Sequence, residues 1–313
     1  MKTVLITGGT GFLGRHLALA LKSEYEVTLA GRNNMQNIYA EQMTGCRAVP
    51  MDVANIEAVR DAFAEIRPNV VIHAAASKFV DLAEKQPMEC IDVNVIGSQN
   101  VARVSIEKAV GVVLGISTDK AAPPSKNTYG LTKALMERVF CSMNGKTDTK
   151  FACVRFGNIA WSTGSVLPIW KKMHEETGVI KTTGPEMRRF FFSVDDAVKL
   201  VLTAMENIDA VQGKILSRYM KAAQVLDLLE TWTRAKGGSY QRVEGRPGDG
   251  EDETLIGELE LPYTYEETYD GIKHFVIAFN EKSAAPLSAE LSSANADRLT
   301  EDEMLALINS PKR

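Results

Sequence analysis

The 313-residue sequence predicts an α/β protein, a doubly wound parallel sheet followed by a smaller C-terminal α/β region. Three observations carry that expectation. Five short β-prone runs alternate with helical patterns before residue 120. The first run opens directly onto a glycine-rich turn, and the fifth ends abruptly in Ser117-Thr118-Asp119-Lys120. No period of 20 to 50 residues points to a repeat architecture.

The first run is Thr3-Val4-Leu5-Ile6-Thr7, and Gly8-Gly9-Thr10-Gly11-Phe12-Leu13-Gly14 follows it. Gly8 permits a tight turn, Gly11 lets backbone approach a diphosphate, and Gly14 lets the next helix pack on the strand. That helix carries Leu13, Leu17, Ala20 and Leu21 on one side and aims its free N–H groups at the diphosphate. Strand, glycine turn and helix in this order make a dinucleotide-binding unit of Rossmann type.

The second strand, Val27 to Ala30, ends in Gly31-Arg32. An acidic residue here would hold the ribose of NAD, whereas an arginine accommodates a 2′-phosphate, so Arg32 marks NADP rather than NAD unless it is a solvated loop arginine. Cys46 to Met51 is a third strand, with Asp52 and Val53 placed to meet the adenine. Asn55 caps a helix to Ile66, and Pro68 closes it. Val70-Val71-Ile72-His73 is the fourth strand. It leads into Ala74, Ala75 and Ala76, small enough to run close past a ring or ribose, and His73 reads as a packed strand-end residue. A long helical pattern spans Glu84 to Lys108, with Asn94 inside it. Val112 to Ile116 is the fifth strand. After the turn-forming Ala121 to Asn127, Tyr129 to Met143 reads as a helix with an apolar stripe of Leu131, Leu135, Val139 and Phe140. Tyr129 and Lys133 are four apart and share one helix face, where an ammonium is expected to lower the phenol pKa.

Lys150 to Arg155 is a sixth strand, ending in Phe156-Gly157-Asn158. Beyond it, Val166 to Glu176 reads as a helix and Val179 to Thr183 as a strand. A second helix runs from Ser193 or Asp195 to Asn207, and a last one is capped by Thr300, with Glu303 at capping-box spacing. Residues 1–158 are the expected cofactor domain and 159–313 the expected substrate region, with some segments returning to the first. The loop from Arg246 to Gly250 would grip phosphate through backbone and guanidinium, and the paired Arg188 and Arg189 read equally as solvated charges.

Composition excludes several classes. A net charge of −4 gives no general attraction to nucleic acid or to an anionic membrane surface. No apolar run reaches the ~20 residues of a membrane helix. Cys46, Cys90, Cys141 and Cys153 lack metal-ligand spacing, so no metal is expected and reduced core thiols in a cytoplasmic protein are.

The motifs together resemble the extended short-chain dehydrogenase/reductases, and within them the nucleotide-sugar 4,6-dehydratases of polysaccharide and pseudaminic acid biosynthesis. The resemblance rests on Ser117-Thr118-Asp119-Lys120-Ala121, on Tyr129 with Lys133, and on His73 to Ala76 with Lys78. Asn94 to Gly97, Arg155 to Asn158, Gly164 to Pro168, Met187 with Arg189-Phe190, and Arg246 to Gly248 add to it. It implies catalysis by Thr118, Asp119, Lys120, Tyr129 and Lys133. It implies NADP binding by Gly8, Gly11, Phe12, Leu13, Gly14, Arg32, Asp52, Val53, Ala74, Ala75, Ala76, Asn94, Tyr129 and Lys133. A nucleotide-diphospho-sugar, UDP-linked, would meet Lys78, Asn158, Ser165, Val166, Thr183, Arg189, Arg246 and Glu253, and a homo-oligomer is implied. In this scheme Tyr129 and Thr118 act on the sugar 4-hydroxyl, Lys120 takes the carbon-5 proton, and Asp119 protonates the departing 6-hydroxyl. A base must be neutral, so the Lys120 pKa is expected to be lowered. The alternatives are a nucleotide-sugar 4-epimerase or ketoreductase, which has no use for Asp119 and Lys120, and a non-catalytic NADP-sensing protein.

Three stretches depart from the family pattern. A glycine-serine-arginine-glycine-serine loop reads Trp161-Ser162-Thr163-Gly164-Ser165. A threonine before the family's arginine is Arg188. The pattern R-P-G-E-K-x-H-E reads Arg246-Pro247-Gly248-Asp249-Gly250-Glu251-Asp252-Glu253.

Overall fold

The computed structural model of the chain describes residues 1–245 and 250–310. Its main sheet has nine strands among those residues. The first six are β1 (Thr3–Thr7), β2 (Glu26–Gly31), β3 (Arg47–Pro50), β4 (Val70–His73), β5 (Val112–Thr118) and β6 (Lys150–Phe156). They lie parallel in the order β3-β2-β1-β4-β5-β6, as right-handed helical crossovers dictate. All of β4 and nearly all of β1 and β6 are buried, which is why they read as continuous apolar runs rather than as alternating ones. The strand order reverses between β1 and β4. At that reversal the strand ends splay and leave a crevice.

The sheet also takes three strands from beyond residue 159. Ile215–Arg218 lies parallel to β6, and Ile272–Ile277 and Thr264–Tyr269 continue antiparallel to the edge. Smaller sheets stand over the crevice. Val179–Thr183 pairs parallel with Ser239–Val243, and Arg188–Phe192 pairs with Ala222–Gln224 and Asn158–Ile159. The last helix, Glu301–Asn309, has the expected capping box, with Thr300 accepting from Glu303 N and Glu303 accepting from Thr300 N.

Two helical expectations are corrected. The pattern from Glu84 to Lys108 is not one helix but Val80–Lys85, Pro87–Ile91, a widened π turn over Asp92–Ile96, and Gly97–Glu107. Pro87 has no N–H to continue the first segment. Asn94, fully buried in the π turn, turns its amide inward to hold the backbone of Ser77 from both sides, at 2.8 and 3.0 Å. The helix over Thr128–Cys141 forms, and of its expected apolar stripe Phe140 is buried and Val139 packs on the core, but the first half faces outward. Leu131 and Leu135 are 54% and 51% exposed, whereas Thr132, Lys133, Met136 and Glu137 are buried. The helix is phased by polar partners rather than by apolar count.

The main such partner is Arg155. Its guanidinium is fully buried and donates to both oxygens of Glu137 (2.9 and 2.7 Å), both oxygens of Glu260 (2.8 Å each) and Leu255 O (3.0 Å). Ser117 Oγ completes the cluster by donating to Glu137 Oε1 at 2.5 Å. One side chain thereby joins β6, the end of β5, the helix carrying Tyr129, and the C-terminal segment 255–260. Breaking such a cluster strands two carboxylates out of water. Arg155→Leu is expected to lower unfolding free energy by about 3–5 kcal/mol, read as a fall in the urea midpoint.

Candidate active site

β5 delivers Ser117 and Thr118 to the crevice, and the chain then tightens into a single 3₁₀ turn over Asp119–Ala121. The turn holds because Thr118 Oγ1 caps it, accepting from Lys120 N at 3.4 Å, while the same hydroxyl donates to Asp119 Oδ1 at 2.9 Å. Lys120 folds back so that Nζ lies 3.1 Å from Asp119 Oδ1 and 3.3 Å from Glu253 Oε1. All three side chains are almost wholly out of solvent. Asp119 Oδ2 is buried and accepts no hydrogen bond among the described residues. It lies 3.2 Å from where a Cβ on Gly157 would stand, and Asp119 itself lines not the crevice but a small cleft behind Lys120 that it shares with Glu253.

Electrostatics correct two expectations. Burial alone would push the Lys120 pKa down, but the carboxylates of Asp119 and Glu253 reverse this and hold it above the ordinary lysine value, against a smaller opposing effect of Arg189. The expected lowering does not occur. The Tyr129 phenol is pushed up to about 12 by burial, and the cation that pulls it back is Lys120, helped by a hydrogen bond from Thr118. Lys133 does not supply the expected cation. It is 2% exposed, its amine rests 3.0 Å from Met136 Sδ, and burial lowers its pKa to about 8. His73 is the packed residue expected of it, held by Thr7 and Ser98 and lowered to about 3 by burial.

The crevice has a volume of about 930 Å³. Gly8, Gly11, Phe12, Leu13, Gly14, Arg32, Val53, Ala74, Ala75 and Ala76 line one end, and Thr118, Lys120, Tyr129 and Lys133 line the middle. Gly8 has φ +65°, and a Cβ there would fall 2.6 Å from Ala75 N, so the segments that follow β1 and β4 approach too closely for any side chain. The helix Phe12–Leu21 opens without a side-chain cap, which leaves its first N–H groups to an anion. Bare backbone, open helix end and the Ala74–Ala76 wall fit a dinucleotide. Asp52 and Asn94 do not line this end. Asp52 instead accepts from Ala54 N in its own turn, and Asn94 shapes the wall from behind through Ser77.

Lys78, Asn158, Ser165, Val166, Thr183 and Arg189 line the other end. Ser165 precedes the helix Val166–Thr177 without capping it, so a second helix end faces the crevice with free N–H groups. Lys78 donates to Thr163 O at 2.7 Å across the mouth. Arg189 lines the crevice, but its two terminal nitrogens already hold Glu251 O (2.9 Å) and Gly250 O (2.8 Å). Glu253 does not line it, since it sits behind Lys120. Arg246 lies outside the described residues. Sequence reasoning missed Trp170, Met173 and Val243 at the far wall, although the 166, 169, 170, 173 spacing marks one helix face. It also missed that two departures belong together. Arg188 forks onto Asp252 with bonds of 2.6 and 2.5 Å, so the arginine in place of threonine and the aspartate in place of histidine make one ion pair.

Residues 4–272 match the family model for a polysaccharide biosynthesis protein. The chain belongs to that family. Among its relatives is an uncharacterized membrane protein, MJ1061, of Methanocaldococcus jannaschii, 35% identical over 92% of this chain and 93% of its own length. A UDP-N-acetylglucosamine 4,6-dehydratase (inverting) of Campylobacter jejuni is 32% identical over 87% of this chain and 82% of its own. A UDP-glucose 4-epimerase of Rickettsia bellii is 32% identical over 98% and 95%. The chain spans about half the length of another relative, the capsular polysaccharide biosynthesis protein CapD of Staphylococcus aureus. In structure it resembles Pen from Bacillus thuringiensis, 28% identical, with a TM-score of 0.89 over 98% of this chain and 96% of that one. The chain is thus an extended short-chain dehydrogenase/reductase of the nucleotide-sugar dehydratase and epimerase group. Among the described residues no helix is long and apolar enough to cross a membrane.

The Lys133 environment has a consequence for the unliganded protein. Its amine titrates near 8 when folded and near 10.5 when unfolded, so between those values the unfolded chain binds the extra proton. Stability is therefore expected to rise with pH from about 8 toward 10.5, and Lys133→Met should flatten the rise in thermal melts across that range.

Proposed function

We propose that the chain is an NADP-dependent nucleotide-sugar 4,6-dehydratase acting on UDP-N-acetylglucosamine to give a UDP-4-keto-6-deoxy-N-acetylhexosamine for surface-glycan biosynthesis. The observation that carries this reading is the buried Lys120–Asp119 contact of 3.1 Å beside Tyr129, a base and an acid that an epimerase does not require. The relatives named a dehydratase and an epimerase leave both chemistries in the family, and this contact favours the first.

Bound at the glycine turn, with Arg32 beside its ribose 2′-phosphate, NADP would accept hydride from carbon 4 and return it to carbon 6. Tyr129 takes the 4-hydroxyl proton, with Thr118 bonded to the same oxygen. Lys120 lowers the cost of a charged phenolate so near it. Lys133 backs this site from one turn further along the helix. The 4-ketone then acidifies the proton on carbon 5. A strongly held Lys120 proton is no obstacle to removing it. Moving that proton from Nζ to Asp119 Oδ1 yields a neutral amine and a carboxylic acid without loss to water, which is the form the elimination needs. Lys120 takes the carbon-5 proton, Asp119 gives its own to the departing 6-hydroxyl, water leaves, and the starting ion pair is restored. Hydride at carbon 6 then leaves an enolate that takes a solvent-derived proton at carbon 5, while the proton that Tyr129 accepted passes to solvent and the phenolate is regenerated. Each such proton transfer is worth about 10²–10⁴-fold.

The open helix end at Ser165 and Val166 would hold the diphosphate, with Lys78, Asn158 and Thr183 around it. Arg189 supports this end through the segment it grips. The exposed Leu131 and Leu135, on a helix packed against the one bearing exposed Met88 and Ile91, suit a homo-oligomer. Four buried free thiols suit the cytoplasm.

The reading is tested with UDP-N-acetylglucosamine and a small panel of other nucleotide sugars in deuterated water, followed by proton NMR. The expected product is a 4-keto-6-deoxy sugar carrying deuterium at carbon 5, and Lys120→Ala should reduce its formation by at least about 10²-fold. A clean 4-epimer without solvent label, or full turnover by Lys120→Ala, would replace this reading with the epimerase one.

A further inference from the structure

Lys120 has a second carboxylate that the proposed chemistry does not use. Glu253 comes from a segment 133 positions further along the chain, is 8% exposed, and meets Nζ at 3.3 Å on the side away from the crevice. The chain invests several contacts in bringing it there. Arg189 holds the carbonyls of Gly250 and Glu251, Arg188 forks onto Asp252, and Ser293 Oγ accepts from Glu253 N at 3.0 Å while donating to Arg188 O at 3.0 Å. Arg189 Nε also lies 3.7 Å from Glu253 Oε1.

We propose that Glu253 is a positioning residue rather than a substrate ligand: it pins the Lys120 ammonium from behind, so that Nζ stays beside Asp119 Oδ1 with its remaining face on the crevice. A lysine side chain has several rotatable bonds and a strongly hydrated head. With Asp119 as its sole partner it would swing out toward water in the crevice. Two carboxylates, at 3.1 and 3.3 Å from Nζ, leave one place for it. The charged groups facing Lys120 are Asp119 in its own turn, Glu253 before strand Thr254–Ile256, Arg189 on the strand over the crevice, and Tyr129 on the adjoining helix. Burial raises the Glu253 pKa, whereas Lys120 lowers it. The arrangement also places the Arg188–Asp252 pair, where this chain departs from its family, in the scaffold that presents Glu253 and outside the lining of the crevice.

The effect on turnover rests on the dehydratase reading, but the effect on Lys120 does not. The test is therefore the reactivity of Lys120 toward acetic anhydride as a function of pH, read by peptide mass spectrometry, in the wild-type protein and in Glu253→Gln. Loss of one of two carboxylates should move the labelling midpoint of Lys120 down by about one pH unit or more, a tenfold loss of proton affinity. Glu253→Asp, which keeps the charge but withdraws it, should fall between the two and carries the test if Glu253→Gln does not fold. In turnover with the substrate found above, Glu253→Gln should lower kcat about tenfold and leave KM within about twofold. An unchanged Lys120 midpoint in both variants overturns the proposal whether or not the protein dehydrates any sugar. A raised KM with unchanged kcat would overturn it in favour of direct substrate contact.

Discussion

The geometry of this site depends on a guanidinium that does not line the crevice. Arg155 sits fully buried between Glu137 and Glu260 and draws together pieces that are distant in the chain. Glu137 is on the helix that carries Tyr129 and Lys133. Ser117, one residue before Thr118, donates to the same carboxylate. Glu260 fixes the segment that leads back to Glu253. A buried ion pair of this kind adds little net stability compared with an apolar replacement, but every donor and acceptor in it has one satisfactory arrangement. That arrangement sets the register of β5, the helix and the C-terminal segment relative to one another.

Given that frame, the proposed dehydration would take its acid and base from an ion pair rather than from a lysine of weakened proton affinity. Desolvation favours a neutral amine, but two carboxylates within hydrogen-bonding range outweigh it. What the proposed elimination requires is a proton shared between Nζ and Oδ1, and proximity would supply that more directly than a shifted titration. The same crowding of charge acts on Tyr129, whose phenol is raised by burial and restrained by the nearby Lys120. Phenol, amine and carboxyl form one electrostatic unit.

The parallel sheet, the glycine turn, the last helix and its capping box were all legible, because each depends on local spacing and local turn chemistry. Legibility failed where distant partners decide. Leu131 and Leu135 looked like core and face outward because Glu137 and Lys133 have buried places to go. The pattern around Asn94 looked like one helix because nothing local announces that its amide will hold Ser77. Tyr129 and Lys133 were correctly set on one helix face, but the sign of the phenol shift was not, because it follows from burial and from Lys120 rather than from the lysine four residues on. The pairing of Lys120 with Glu253, and of Arg188 with Asp252, spans long stretches of chain and leaves no periodic trace. Its only sequence sign is that two residues depart from the family pattern together.

The proposed dehydration turns on a ketone formed at carbon 4, which makes the elimination possible, and on return of the hydrogen removed there to the same sugar. A nucleotide sugar carrying deuterium at carbon 4 tests this directly, with the product examined by mass spectrometry and deuterium NMR. Internal hydride return puts the label in the new methyl group at carbon 6. Label remaining at carbon 4, or lost to water, would contradict it.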